Sequence, residues 1–117
     1  NAGAVCKLLS DAGEDVTFIC AGTEGKFSLD DIAAVGAIID KLNIDEDDME
    51  LDDLALVCRY LYRTRKQDID GLLSKAYHYR RLKNAGFDKD IEYCFTSDCA
   101  PIVPLYQDGI IRCEDNF

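Results

Sequence analysis

The chain has 117 residues, 48% of them apolar, and carries 23 acidic against 13 basic residues, which gives a formal net charge of −10. This length suits one core, and the acidity argues against general affinity for nucleic acid or for an anionic membrane surface. No apolar run approaches the roughly 18 residues that a membrane span requires. We therefore predict a single domain, residues 1–117, that binds neither nucleic acid nor membrane.

The first part of the chain predicts helices. Apolar residues recur at helical spacing from Val5 to Leu9, whereas residues 16–20 fit either a helix or a short strand. The clearest helix begins at Ser28, a residue type that caps helices, and Asn43 is a plausible stop.

Two more helices are predicted in the middle of the chain. Acidic residues favour the positive end of a helix and basic residues its negative end, and glycine often follows the last turn. Gly86 is such a glycine. The predicted limits are Asp47 or Asp48 to Lys66 for one helix, and Asp70 to Asn84 or Ala85 for the other.

The C-terminal part is predicted to be mostly irregular. Residues 88–95 fit one short helix, but Pro101 and Pro104 break any helix beyond it. Asp108-Gly109 is a turn signal between two apolar stretches. A tight loop bounded by a disulfide is the simplest interpretation.

The acidic run in mid-chain invites a calcium interpretation, which its spacing does not support. Asn43, Asp45 and Asp47 alternate as the ligands of a helix-loop-helix calcium site do. The sixth position of that loop, which needs glycine, is Asp48, and the twelfth, which needs glutamate, is Leu54. We predict a solvated helix start and no metal site.

The cysteines set the predicted fold class. Their number is even, they are spread over the chain, and the spacing of close pairs that a zinc site requires is missing. Together with a start at Asn1 rather than Met, this predicts three disulfides in a secreted, extracellular protein. The expected fold is all-α, a compact disulfide-linked bundle of about four to six helices with an irregular C-terminal loop. The cysteines are Cys6, Cys20, Cys58, Cys94, Cys99 and Cys113.

The sequence offers little support for catalysis. A serine or cysteine nucleophile needs a base, usually histidine, and the chain has one histidine, His78, within a run of tyrosine and arginine. No nucleophile motif stands near it. We therefore predict that the chain is not an enzyme and that it needs no cofactor.

A surface rich in tyrosine and arginine is the candidate binding site. Leu56, Tyr60 and Arg63 share the outer side of the helix predicted from Asp47 or Asp48 to Lys66, with Arg59 at their edge. Such side chains dominate the energetics of protein interfaces. The alternative is that Leu56 and Tyr60 are buried against another helix or against the proline-containing tail. The predicted partner-binding residues are Leu56, Arg59, Tyr60, Arg63, Tyr77 and Arg81.

The chain resembles the small salivary proteins of anopheline mosquitoes typified by albicin and anophensin. The resemblance lies in the segment from Asn1 to Cys6, the six spread cysteines, the acidity and the central helix rich in tyrosine and arginine. It implies an immune-evasion protein of saliva that binds a host plasma protein. The implied activity is inhibition of the alternative complement pathway convertase or of contact activation.

A carrier of a small apolar ligand is the alternative function. Insect odorant-binding proteins are also acidic, helical and held by six cysteines. Their pattern includes two mid-chain cysteines with three residues between them, whereas Cys58 stands alone here. A carrier predicts a closed apolar cavity, and an inhibitor predicts a filled core.

Overall fold

The computed structural model describes residues 1–44 and 49–113. Within these ranges six α-helices and a short 3-10 helix are followed by two β-strands. They are α1 Ala2–Ala12, α2 Leu29–Leu42, α3 Asp53–Arg65, the 3-10 helix Lys66–Asp68, α4 Ile69–Leu73, α5 Tyr77–Asn84, α6 Asp88–Cys94, β1 Pro104–Gln107 and β2 Ile110–Cys113.

Helix α2 is the centre of the fold, and its predicted limits are confirmed. Ser28 precedes it with extended backbone, and Asn43 ends it in the left-handed conformation at φ 49°. Ile32 and Ile39 bury one side of the helix, which packs against both α1 and α3. The helix is amphipathic because its apolar residues recur every three to four positions.

Gly36 allows α2 and α3 to approach closely. A Cβ atom at this position would collide with the carbonyl oxygen of Cys58 and would lie 2.8 Å from the Cβ of Tyr62. Only glycine therefore fits at this crossing of the two helices.

Helix α3 begins later than expected within the described residues. The Asp52 carboxylate caps it by accepting a hydrogen bond from the backbone N–H of Ala55 at 2.7 Å. The predicted start at Asp47 or Asp48 lies outside the described residues, as does most of the acidic run weighed above as a calcium loop.

The helix predicted from Asp70 onward is broken in two. Between α4 and α5 the backbone of Ala76 is extended, and the Ser74 hydroxyl donates to the carbonyl of Gly71 at 3.0 Å. This break allows Leu73 and Ala76 both to be buried. Packing of these two side chains overrides the helical propensity of the segment.

The C-terminal part forms a β-hairpin, so the predicted irregular loop is wrong. Strands β1 and β2 pair antiparallel, with Gln107 opposite Ile110. The two-residue turn has positive φ at both Asp108 (53°) and Gly109 (82°), as the turn type favoured in hairpins requires. Pro104 stands at the first position of β1, where strands tolerate proline.

The disulfide-linked all-α bundle is wrong as a fold class. All six cysteines lie within the described residues, and all six are free thiols. Cys58 is buried between α2 and α3, and Cys6 is buried where its thiol donates to the carbonyl of Ile38. Burial raises the pKa of both thiols above the ordinary value, which is typical of unreactive structural cysteines.

None of the helices in residues 1–44 and 49–113 is both long and apolar enough to cross a membrane. The same residues bring together no group of three or more His, Cys, Asp or Glu side chains that could hold a metal ion.

Asp40 of α2 holds the C-terminal end of α3 through two cations. Its carboxylate accepts from Arg63 Nε at 2.6 Å and from Lys66 Nζ at 3.2 Å, and the Asp40 side chain is only 15% exposed. The hydrogen bond from Arg63, and then that from Lys66, holds the pKa of Asp40 below its ordinary value of 3.8.

We expect Asp40→Asn to lower the free energy of unfolding by about 1 kcal/mol near neutral pH. Because the folded pKa is depressed, this stabilisation is present above the ordinary pKa of 3.8 and is lost as the pH falls through the folded value. Urea unfolding at several pH values tests this, with the exposed Asp11→Asn as control. A difference between wild type and Asp40→Asn that persists unchanged well below pH 3.8 would contradict it.

Candidate functional site

The loop of residues 22–28, here called the 22–28 loop, leads into α2. Thr23 and Lys26 exchange two backbone hydrogen bonds, at 2.9 and 3.0 Å, around a turn in which Glu24 and Gly25 both have positive φ. A Cβ atom on Gly22 would lie 2.5 Å from the carbonyl oxygen of Lys26. Glycine is therefore required where the loop closes on itself.

Side chains from the start of α2 hold the loop in place. The Asp31 carboxylate accepts a hydrogen bond from the backbone N–H of Gly22 at 2.7 Å. The buried Ser28 hydroxyl donates to Asp30 and lies 3.3 Å from the Thr23 hydroxyl. Because Ser28 bonds Asp30, it does not cap the backbone N–H groups of the first turn. These groups carry the positive end of the helix dipole.

Helix α5 brings a tyrosine and an arginine to the loop. The Tyr77 hydroxyl donates to one carboxylate oxygen of Glu24 at 3.0 Å, and Arg81 Nη1 pairs with the other oxygen at 2.7 Å. Lys26 Nζ lies 5.6 Å from the centre of the Tyr77 ring, and Arg81 Cζ lies 5.9 Å from it. Two cations thus flank one exposed aromatic ring beside the loop.

The arrangement favours binding of an anion. A glycine-rich loop that enters a helix presents backbone N–H groups to an anion, and the helix dipole adds to the attraction. Lys26 and Arg81 supply two positive charges at the same place. Arg81 has five N–H donors in a fork, and Glu24 pairs with the Nη1 nitrogen of that fork. An oxyanion can therefore contact the guanidinium while Glu24 still orients it.

The structure divides the predicted binding residues between two places. Tyr77 and Arg81 meet Glu24 at the 22–28 loop. In α3, Leu56 is 49% and Tyr60 is 73% exposed, so these two members of the stripe lie on the surface and are not covered by another helix.

The other two members of the α3 stripe have different surroundings. Arg59 is only 7% exposed, although the sequence predicts it at the edge of the outer face. Arg63 turns toward α2 and pairs with Asp40.

Sequence reasoning missed the loop residues Thr23, Glu24 and Lys26. Two glycines three positions apart, followed by a lysine and then by a helix-capping serine, are the signal that could have found them. When these glycines are taken only as the end of the apolar segment of residues 16–20, they do not indicate a binding site.

This loop and the helix start that follows it, with basic side chains beside them, form the candidate anion site. Comparison with known proteins specifies the family. The family model of 2-phosphosulpholactate phosphatase matches residues 1–109, and the chain belongs to this family.

Bacterial relatives agree with the family. Three of them bear the name probable 2-phosphosulfolactate phosphatase. The protein of Caldanaerobacter subterraneus subsp. tengcongensis is 40% identical to this chain, and the match covers the whole chain and 48% of the relative's length. The protein of Clostridium acetobutylicum is 38% identical, and the match covers 95% of this chain and 47% of the relative's length. The protein of Clostridium botulinum is 36% identical, and the match covers 96% of this chain and 47% of the relative's length. The chain thus spans about half the length of these relatives.

The family overturns the function predicted from the sequence. The resemblance to mosquito salivary proteins is wrong, and with it the complement or contact-activation inhibitor and the plasma-protein partner, because the relatives are bacterial and are named as phosphatases. The odorant-carrier alternative is wrong for the same reason. The prediction that the chain is not an enzyme is wrong because the family is named for an enzyme.

The prediction of a secreted, extracellular protein is also wrong. It depends on oxidised cysteines and on the salivary resemblance, whereas the thiols are free and the family is a different one.

Proposed function

We propose that this chain forms the phosphate-binding part of a phosphatase that hydrolyses 2-phosphosulfolactate. The observation that carries the proposal is the match of the family model over residues 1–109. Because the chain spans about half of the relatives, the activity is proposed for the chain together with the half of the family polypeptide that it does not match.

The substrate chemistry agrees with the cations at the 22–28 loop. A sulfonated, phosphorylated 2-hydroxy acid carries roughly four negative charges near neutral pH, from its phosphate, sulfonate and carboxylate. The chain itself has a net charge of −10, so it repels such a substrate unless positive groups are concentrated locally. The positive groups of the proposed site are Lys26, Arg81 and the N–H groups at the start of α2, and the carboxylates of Glu24, Asp30 and Asp31 stand beside them.

These groups also suit the reaction. In hydrolysis of a phosphate monoester, water attacks phosphorus and loses a proton, the bond from phosphorus to the ester oxygen breaks, and that oxygen leaves as the alcohol by taking up a proton. During the step charge spreads over the other phosphate oxygens. Donors that are already in place where this charge develops lower the barrier. In the proposed site Lys26 and Arg81 bind the phosphate oxygens, and Glu24 with Tyr77 orients the Arg81 guanidinium.

The carboxylates beside the loop have two proposed roles. Asp31 holds the loop through the Gly22 N–H, so its role is to position the backbone. Asp30 stands next to it in the same first turn, and a carboxylate there can accept the proton of the attacking water.

The proposal is tested in a chimera in which this chain replaces the matched residues of the Caldanaerobacter relative. We expect the chimera to release inorganic phosphate from 2-phosphosulfolactate with a kcat/KM within about tenfold of the unmodified relative. The phosphorylated hydroxy acid without the sulfonate serves as control substrate and should react more slowly. A chimera that shows folded circular dichroism but releases no phosphate, beside an active relative, would contradict the proposal.

A further inference from the structure

Residues 14–21 connect α1 to the 22–28 loop without regular secondary structure. Within the described part of the chain, none of their backbone N–H or C=O groups bonds another backbone group. Gly13 and Gly22, both with positive φ, stand at the two ends of this segment. Such a row of unpaired backbone groups is a template for pairing with a strand.

The side chains of this segment are those of a β-strand. Val16, Thr17, Phe18 and Ile19 are consecutive residues of types enriched in strands. In the structure Ile19 is 91% exposed and Val16 is 42% exposed. Because side chains alternate across a strand, Val16 and Phe18 would share one face and Ile19 would lie on the other. A strand with apolar residues on both faces is typical of a sheet covered on both sides.

An open groove of about 920 Å³ borders this segment. Its walls include Phe18 from the segment, Val35 and Ile39 from α2, and Leu54 from α3. The groove is larger than the gaps of a close-packed core, so it can accept several side chains from elsewhere. Val16, Phe18 and Cys20, which would share one face of the strand, all line the groove, and so does Thr17.

The hydrophobic core of the chain is incomplete unless side chains from elsewhere fill the groove. Ile39 and Cys58 are the largest described side chains that are less than 2% exposed, and many apolar side chains lie at the surface. The radius of gyration is 15.1 Å, whereas a compact domain of this length has about 13 Å. Apolar surface on this scale marks an interaction site.

The part of the family polypeptide that this chain does not match is large enough to fill the groove. The relatives match this chain over about half of their length, so about half of each relative lies outside the match; this unmatched part is here called the second half, whatever its position in the polypeptide. We propose that residues 15–20 form a β-strand in a sheet whose neighbouring strands come from that second half, which also fills the groove. The inference concerns assembly and does not rest on the proposed phosphatase activity.

A second copy of the chain is a poorer occupant. Each copy has a net charge of −10, and Glu14 directly precedes the strand while Asp15 begins it, so self-pairing would bring like charges together.

Hydrogen exchange of backbone amides in the chimera tests the proposal, with the chain alone as reference. We expect the amides of residues 16–20 to exchange at least about a hundredfold more slowly in the chimera, because strand pairing protects them. The second half of the Caldanaerobacter relative, expressed as a separate polypeptide with this chain, should co-purify with it and give the same protection.

Ile19→Lys is the informative variant, because its side chain is 91% exposed in the chain alone. It should leave the circular dichroism of the chain unchanged but weaken co-purification by at least about tenfold, since it places a charge in a covered sheet. Val57→Lys is the matched control, 58% exposed and outside the groove lining, and should have little effect.

Three results would overturn the proposal. One is a folded chimera whose residues 16–20 exchange as fast as in the chain alone. Another is a homodimer of the chain, detected by sedimentation, that protects the same amides. The third is a chimera that does not fold although the unmodified relative does.

Discussion

Arg81→Ala in the chimera is expected to lower kcat/KM for 2-phosphosulfolactate by about 100-fold to 1000-fold, the usual effect of removing one donor aimed at developing charge. Arg81 is held by Glu24 at 2.7 Å and lies over the Tyr77 ring, so its guanidinium is oriented before an anion arrives. Steady-state release of inorganic phosphate measures the effect. The melting temperature should change little, because exposed ion pairs contribute little to stability.

The neighbouring Arg80→Ala provides the matched control. Arg80 is exposed in the same helix, but it is not among the residues that contact the loop. We therefore expect the kcat/KM of the Arg80→Ala variant to stay within about twofold of the value for the chimera without the substitution. Arg81→Lys should restore only part of the rate, because lysine keeps the charge but not the planar fork. Equal losses for Arg80→Ala and Arg81→Ala would refute the specific role of Arg81.

Gly36→Ala is expected to lower the free energy of unfolding by about 2 kcal/mol, because the added methyl group overpacks the crossing of α2 and α3. The new Cβ would meet the backbone of Cys58 and would lie 2.8 Å from the Cβ of Tyr62. Neither of these neighbours is the end of a flexible side chain, so the helices themselves must move. Urea unfolding followed by circular dichroism measures the loss.

The sign of this effect distinguishes packing from helix propensity. Alanine favours a helix over glycine by about 1 kcal/mol where nothing else contacts the residue. At the exposed Ala34, two residues earlier in α2, glycine should therefore be less stable than alanine. At Gly36 the order of stability should be reversed, with the alanine variant less stable than the glycine of the wild type. A Gly36→Ala variant that is more stable than wild type would show that the helices are not in close contact there.

Helix and turn ends can be predicted from the sequence where local chemistry decides them. Ser28 and Asn43 mark the two ends of α2, and the residue types alone suggest both positions. Asp108-Gly109 likewise indicates the turn, although the strands on either side of it are not predicted. The break at Ala76 could not be predicted, because it follows from which side chains are buried.

The cysteines show why composition misleads about the fold class. An even number of cysteines spread over a chain fits three disulfides and six separate thiols equally well. Cys58 packs in the interface of α2 and α3 as a small apolar side chain, a use of cysteine that the count does not reveal. The predicted disulfides depend on that assumption, and so do in part the inferred secretion and the resemblance to salivary proteins.

The candidate site can be predicted only in part. The spacing of Tyr77 and Arg81 correctly makes them neighbours on one helix, but their contact is Glu24, which is 53 residues from Tyr77 in the sequence. Local spacing contains no information about such a contact. The glycines and lysine of the 22–28 loop are a local signal, and their pattern alone is enough to suggest an anion site.

The most direct measurement is the titration of the chimera with inorganic phosphate, followed by the chemical shifts of its backbone amides. Binding at the proposed site should shift the amides of the 22–28 loop and of the first turn of α2, and Arg81→Ala should weaken the binding at least about tenfold. Shifts confined to other parts of the protein, with the loop amides unchanged at saturation, would contradict the assignment of this loop as the phosphate site.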